Sequence, residues 1–270
     1  MKIIEENFTI KCSDGIDITA YIAHPQEVGQ YPGLLVIHEI WGLNDQIKGV
    51  ARRYAEQGYV ALAPHLFSSH GKILNENNIR KAMGPVFSIP REKRSDPSSL
   101  KALMENMSNN DREVVQLLFL ERQSLEQNIV REAQDCYEYL VNLPIIKNEK
   151  IGVTGFCFGG GLALHLSTVL SFNASVIFYG ANPKSIDSIS NIKGPVLAIY
   201  AGEDEMVDAG IPTLVQAMIK HKKTFAMKLY KGVQHAFFNE TSSIYDKVAA
   251  EDAWQMALNF FNRSLKSSGN

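Results

Sequence analysis

Gly155-Phe156-Cys157-Phe158-Gly159-Gly160, directly after the apolar run Ile151-Gly152-Val153-Thr154, is the stretch that most restricts the folds open to this chain. Its Gly-x-Cys-x-Gly spacing is that of an elbow, in which a reactive side chain stands on a sharp strand-to-helix turn. Such a turn leaves no room for a Cβ close beside it, which is why glycines flank the reactive residue. The helix that follows would aim its N-terminus at the sulfur, where free N–H groups and the helix dipole favour a thiolate and a developing oxyanion. The plainer reading is a buried cysteine in a glycine-rich turn of an ordinary α/β protein.

The rest of the chain alternates between strand and helix patterns. Gly33–His38 is a continuous apolar run ending in histidine, as expected of a buried parallel strand. Tyr59–Ala63, Ile151–Thr154, Ala174–Tyr179, Val196–Ala201 and Phe225–Tyr230 repeat that pattern, while Ile16–Ala23 alternates weakly and reads as an edge strand. Helices are expected over Asn44–Gln57, Leu162–Leu170, Ile211–His221 and Ile244–Leu265, the last placing Val248, Trp254, Leu258 and Phe261 against the sheet. Strands and helices in alternation predict an α/β fold with a mainly parallel, doubly wound sheet and helices on both faces. Residues 1–270 read as a single domain of that kind. Pro64 to Ile151 is too long for a simple crossover, and apolar residues recur at helical spacing over residues 112–142, as one long helix or two. Residues 71–135 are therefore a helical insertion, read as a lid, an interface or a surface excursion.

Composition removes several classes of function. The formal net charge is −2 with no basic or acidic block, so neither nucleic acid nor an anionic membrane surface is an expected partner. Cys12, Cys136 and Cys157 are scattered and odd in number, which fits a reducing compartment and no structural zinc pattern. With no apolar signal core near Met1 and no run of membrane-spanning length, a cytoplasmic protein is expected.

A thiol nucleophile needs a base and an orienting acid. After Val196–Ala201 comes Gly202-Glu203-Asp204-Glu205, and after Phe225–Tyr230 comes Gly232-Val233-Gln234-His235. The nucleophile, acid and histidine thus follow three successive predicted strands at their carboxyl ends, where open α/β sheets place their sites. Asp204 is the favoured acid because its short side chain suits a strand end, with Glu205 next. The first buried strand ends in His38-Glu39-Ile40-Trp41-Gly42, so the Ile40 and Phe158 N–H groups form the expected oxyanion hole. Glu39 beside that pair is unusual, since an anion opposes a developing negative charge; a carboxylate at a helix N-terminus is the plainer account. Trp41, Phe237 and Phe238 lie next to these motifs and are the candidate apolar wall of a substrate pocket.

His-Glu-Ile-Trp-Gly-Leu-Asn at 38–44, Gly-Phe-Cys-Phe-Gly-Gly at 155–160 and His235-Ala236-Phe237 together resemble the dienelactone hydrolase (carboxymethylenebutenolidase) family of α/β-hydrolases. Asp208-Ala209-Gly210-Ile211-Pro212 and Asn239-Glu240-Thr241-Ser242 resemble it too, and the register of the first supports Asp204 as the acid. The resemblance implies a Cys157–His235–Asp204 triad that cleaves small esters or lactones through an acyl-cysteine, with neither metal nor organic cofactor. It also implies that Glu39 holds the resting thiol and acts as its base when substrate arrives. This chain departs from the family where arginines bind the substrate carboxylate: Ser69 and Asn239 stand near the matching positions, leaving Arg80, Arg91 and Arg94 of the insertion as replacements. The alternative function is a non-catalytic ligand-binding or redox-sensing protein with Cys157 as an oxidisable thiol, although a sensor has no use for the His–Asp pair. Oligomeric state is left open.

Overall fold

The computed structural model describes residues 1–12, 15–90, 93–94 and 96–266. Eight strands form one sheet in the order β1-β2-β4-β3-β5-β6-β7-β8. The strands are β1 (Ile3–Lys11), β2 (Asp17–Pro25), β3 (Tyr31–Ile37), β4 (Val60–Pro64), β5 (Ile146–Phe156), β6 (Ala174–Phe178), β7 (Val196–Ala201) and β8 (Phe225–Tyr230). Pairing is parallel from β4 through β8, whereas β1–β2 and β2–β4 are antiparallel. Ile16–Ala23 is therefore not the edge expected from its pattern: β1, whose mixed polar sequence hides it, pairs along β2 and forms the edge.

The central strands are buried on both faces, which is why β4, β6 and β7 read as unbroken apolar runs. One face packs against α1 (Asp45–Glu56) and α9 (Lys247–Phe261), joined by the Tyr54 and Trp254 rings at 4.5 Å. Asn44 starts α1 by accepting the Ile47 N–H, and Asp246 starts α9 by accepting that of Ala249. Helix α9 buries Ala249, Ala253, Ala257 and Phe261, while Val248, expected on the buried stripe, is exposed because it lies on the opposite side of that small-residue face.

The other face packs against α6 (Phe158–Val169), α5 (Arg122–Val141), α8 (Ile211–Lys220) and the insertion. Within the insertion, α2 (Glu76–Ser88), α3 (Pro97–Met104) and α4 (Asn109–Val115) bury Ile79, Met83, Val86, Leu100, Val114 and Val115 in the same apolar cluster as β3 and β5. The 112–142 periodicity is two helices joined by a π-turn over Gln116–Leu120. Short α7 (Glu205–Asp208) follows β7.

Candidate active site

Cys157 leaves β5 at φ 55°, ψ −117° and opens α6. A side chain in that left-handed region is strained, and the local sequence supplies what the turn demands. A Cβ on Gly155 would meet the Gly159 carbonyl oxygen at 2.0 Å, and one on Gly159 would meet the His38 carbonyl oxygen at 2.3 Å. Strand β5, helix α6 and the end of β3 therefore approach so closely that only glycine fits between them. Phe158, the first residue of α6, has an N–H with no partner in its own helix. Ile40 lies beyond His38 at the end of β3, so the two expected oxyanion donors sit on adjoining segments.

The three residues expected to act together meet. His235 Nε2 is 2.9 Å from Cys157 Sγ, and His235 Nδ1 is hydrogen-bonded to Asp204 Oδ2. Asp204 is completely buried at the start of α7, while Glu205 is exposed. Burial alone would lower the His235 pKa, but the Cys157 sulfur and the Asp204 carboxylate outweigh it and raise it to about 10. Residue 236 is in the left-handed region as well, at φ 63°, and so is Tyr179 after β6, at φ 38°. Among the described residues only Lys222 shares that backbone state with these three and is not glycine, so non-glycine strain is concentrated at the site.

Glu39 is not on the thiol. Its Oε2 accepts from Asn239 Nδ2 at 2.5 Å and its Oε1 faces the Tyr179 hydroxyl at 3.5 Å. Both carboxyl oxygens thus have donors of their own, and the sulfur pairs with His235 instead. Burial pushes the Glu39 pKa upward, against the pull of Asn239, His235 and Tyr179. Phe237 and Phe238, expected beside the substrate, are core residues: Phe238 stacks on Phe156 at 5.2 Å and contacts Phe178 at 4.9 Å, and Phe237 packs on Tyr179 and Tyr230. Their rings turn beneath the histidine loop, into the sheet's core. Trp41 is half-buried, edge-on to Phe87 of α2, with the Arg80 guanidinium 4.9 Å over its ring.

Arg80 pairs with Glu76, and Arg94 donates to the Ile89 and Phe87 carbonyls at the end of α2; Arg91 lies outside the described residues. Ser69 and Asn239 are also engaged. The carboxylate of Glu132, 1% exposed in α5, accepts the Ser68 and Ser69 N–H groups at 3.1 and 2.8 Å and the Ser69 hydroxyl. Cys12 donates to Asp135 at 2.5 Å, and Cys136 is buried with its thiol pKa pushed up by desolvation. Tyr179 and Glu132 escape sequence reasoning, although Tyr179 ends a strand at the carboxyl edge where a site residue is to be sought.

Residues 18–265 match the model of the dienelactone hydrolase family. A protein of Saccharolobus solfataricus named "Putative carboxymethylenebutenolidase" is 45% identical over 254 residues, spanning 94% of this chain and 97% of its own. One of the same name from Synechocystis is 29% identical, spanning 94% and 95%. The crystal structure of a "Putative Dienelactone Hydrolase" from Klebsiella pneumoniae superposes with a TM-score of 0.74 at 22% identity, covering 97% of this chain and 100% of its own, and so shares the fold.

Proposed function

Because the chain belongs to the dienelactone hydrolase family, and is thereby a hydrolase of small esters or lactones, we propose that it works through an acyl-cysteine on Cys157. The observation that carries this reading is the continuous contact from sulfur to His235 to buried Asp204. The Cys157 thiolate attacks the substrate carbonyl carbon, forming a C–S bond, and the oxygen takes up the electron pair opposite the Ile40 and Phe158 N–H groups. The C–O bond to the leaving group then breaks, and the His235 imidazolium gives that oxygen its proton. Neutral His235 next takes a proton from water; the hydroxide attacks the thioester, the C–S bond breaks, and the acid leaves with the thiolate restored. Asp204 holds the imidazole in the tautomer and orientation that both steps need. No step calls on a metal or an organic cofactor.

The 71–135 insertion is read as a fixed wall, because its buried residues share the apolar cluster of the sheet. Trp41, braced by Phe87 and Arg80, presents the apolar surface of that wall to the acyl group.

The test is a rapid-mixing assay with an activated neutral ester, joined to mass spectrometry of the quenched protein. A burst of leaving group equal to the enzyme concentration, and an acyl mass on the peptide carrying Cys157, are expected. Cys157→Ala should abolish both, while Cys12→Ala/Cys136→Ala should retain most activity. Full turnover by folded Cys157→Ala would end the proposal.

A further inference from the structure

Buried Glu39 has no task in the steps above, yet one of its partners comes from the histidine loop and the other lies against the His235 ring. Asn239 lies four residues after His235, and its N–H closes a turn on the Ala236 carbonyl at 3.0 Å. Tyr179 follows β6, and its ring lies 5.1 Å from the His235 ring. Glu39 immediately precedes Ile40.

The direction of the Asn239 amide is fixed by its surroundings. Its Oδ1 accepts the Thr241 N–H at 3.0 Å and the Thr241 hydroxyl at 2.7 Å. A main-chain N–H only donates, so the oxygen must face Thr241 and the NH2 must face Glu39. The resulting bond to Glu39 joins two side chains that are 4% and 3% exposed. A hydrogen bond with both ends buried is strengthened by its low-dielectric surroundings and fixes the two side chains relative to each other. The groups facing the carboxyl are otherwise the Tyr179 hydroxyl, His235 and the more distant Arg80.

We propose that Asn239 is a positioning residue: by pinning the Glu39 carboxylate to the histidine loop, it fixes the Ile40 N–H opposite the Cys157–His235 pair and keeps that carboxylate off the thiol. The inference rests on the reading of Cys157 as nucleophile. The thiol is then ready before substrate arrives, and substrate charge plays no part in releasing it.

Exchange of the two groups tests this. Asn239→Asp sets two carboxyls face to face. They can share a proton in acid and repel once it leaves, so kcat should fall at least tenfold near neutrality, with a smaller loss in acid and KM within about threefold of wild type. Glu39→Gln should be mild, since the new amide can still accept from Asn239 and donate to the Tyr179 oxygen. Glu39→Gln/Asn239→Asp rebuilds the bond in reverse, with the amide at position 39 now the donor, and should recover kcat to within about threefold of wild type. The proposal falls if Asn239→Asp matches wild type at every pH, if the exchange is no better than Asn239→Asp alone, or if Glu39→Gln is as damaged as Asn239→Asp. Should Asn239→Asp not fold, Tyr179→Phe, which removes the other donor and keeps the ring, should lower kcat and leave KM; an unchanged kcat would overturn the proposal. A failure of the nucleophile reading is seen separately, as activity in Cys157→Ala.

Discussion

Asp204 shows what burial does at the scale of one residue. Its carboxylate is removed from water and faces an imidazole, whose pKa it helps to raise. Asp204→Asn should retain the fold and lower kcat by about two to four orders of magnitude, because an amide can hold the ring in the wrong tautomer. Steady-state kinetics with matched circular dichroism would measure this; a loss under about threefold would remove Asp204 from the mechanism. Substrate charge is decided by single residues as well. Ser69 is committed to Glu132, Asn239 to Glu39, and Arg80 to Glu76. A carboxylated substrate therefore gains no bidentate clamp from these groups, and neutral esters or lactones should be turned over at least as well as anionic ones. The comparison is kcat/KM for two substrates sharing one leaving group at two salt concentrations. A tenfold preference for the anion, about 1.4 kcal/mol, would contradict it.

Among the elements, those whose role is set by burial were legible. Val196–Ala201 runs buried as its apolar pattern predicts, and α1 and α8 agree within a residue or two at each end, whereas Phe225–Tyr230 keeps its expected bounds but is the other edge of the sheet, with Met227 and Leu229 exposed. The meeting of Cys157, Asp204 and His235 could be anticipated because three successive strand ends are each followed by a compatible side chain, with Glu205 the competitor of Asp204 after β7. Strand β1 could not, since its sequence alternates charge with apolar residues and its pairing rests on main-chain bonds to β2. The Phe237 and Phe238 rings are in the core, not at the expected substrate wall, because nearness to His235 in sequence says nothing of which way a loop side chain turns. Glu132 was invisible for a related reason: a carboxylate in a helix reads as a solvated face until the Ser68 and Ser69 N–H groups are found against it. The β5–α6 junction tests this scale. Gly159→Ala would drive a Cβ to 2.3 Å from the His38 oxygen, with main chain on both sides. It should destabilise the protein by about 2 kcal/mol or more and reduce activity beyond what the stability loss explains. An unchanged melting temperature would mean that the elbow can open.

For the whole molecule the clearest electrostatic signature is in two neighbouring histidines, buried His38 and half-buried His65. His38 lies between the Leu66 N–H, which donates to its Nε2, and the Glu39 carbonyl, which accepts from its Nδ1. Desolvation, helped by neighbouring His65, lowers its pKa to about 3, and burial lowers that of His65 too. Below about pH 6.5 the unfolded chain takes up protons that the folded one refuses, so their contribution is full above that pH and declines as pH falls toward the folded values. His235 acts in the opposite sense: its contribution is full below about pH 6.5 and is lost as pH rises toward about 10. Glu39, raised by burial, also favours the folded state in acid. Between about pH 6 and 4.5 the loss from buried His38 should reach up to about 1.4 kcal/mol per pH unit. Thermal melts across that range should fall more steeply for wild type than for His38→Gln; parallel slopes would show that His38 protonates in the folded state. Among the described residues no helix is long and apolar enough to cross a membrane.

The left-handed backbone at Cys157, Tyr179 and Ala236 sets a bargain for any lineage of this protein under selection for heat tolerance. Glycine at those positions would relax the chain, yet Cys157 carries the sulfur, Ala236 directly follows His235 and the Tyr179 ring lies against the His235 ring. Variants that survive hotter surroundings should therefore accumulate changes in the helices and the sheet edge, and leave these three uncomfortable turns as they are.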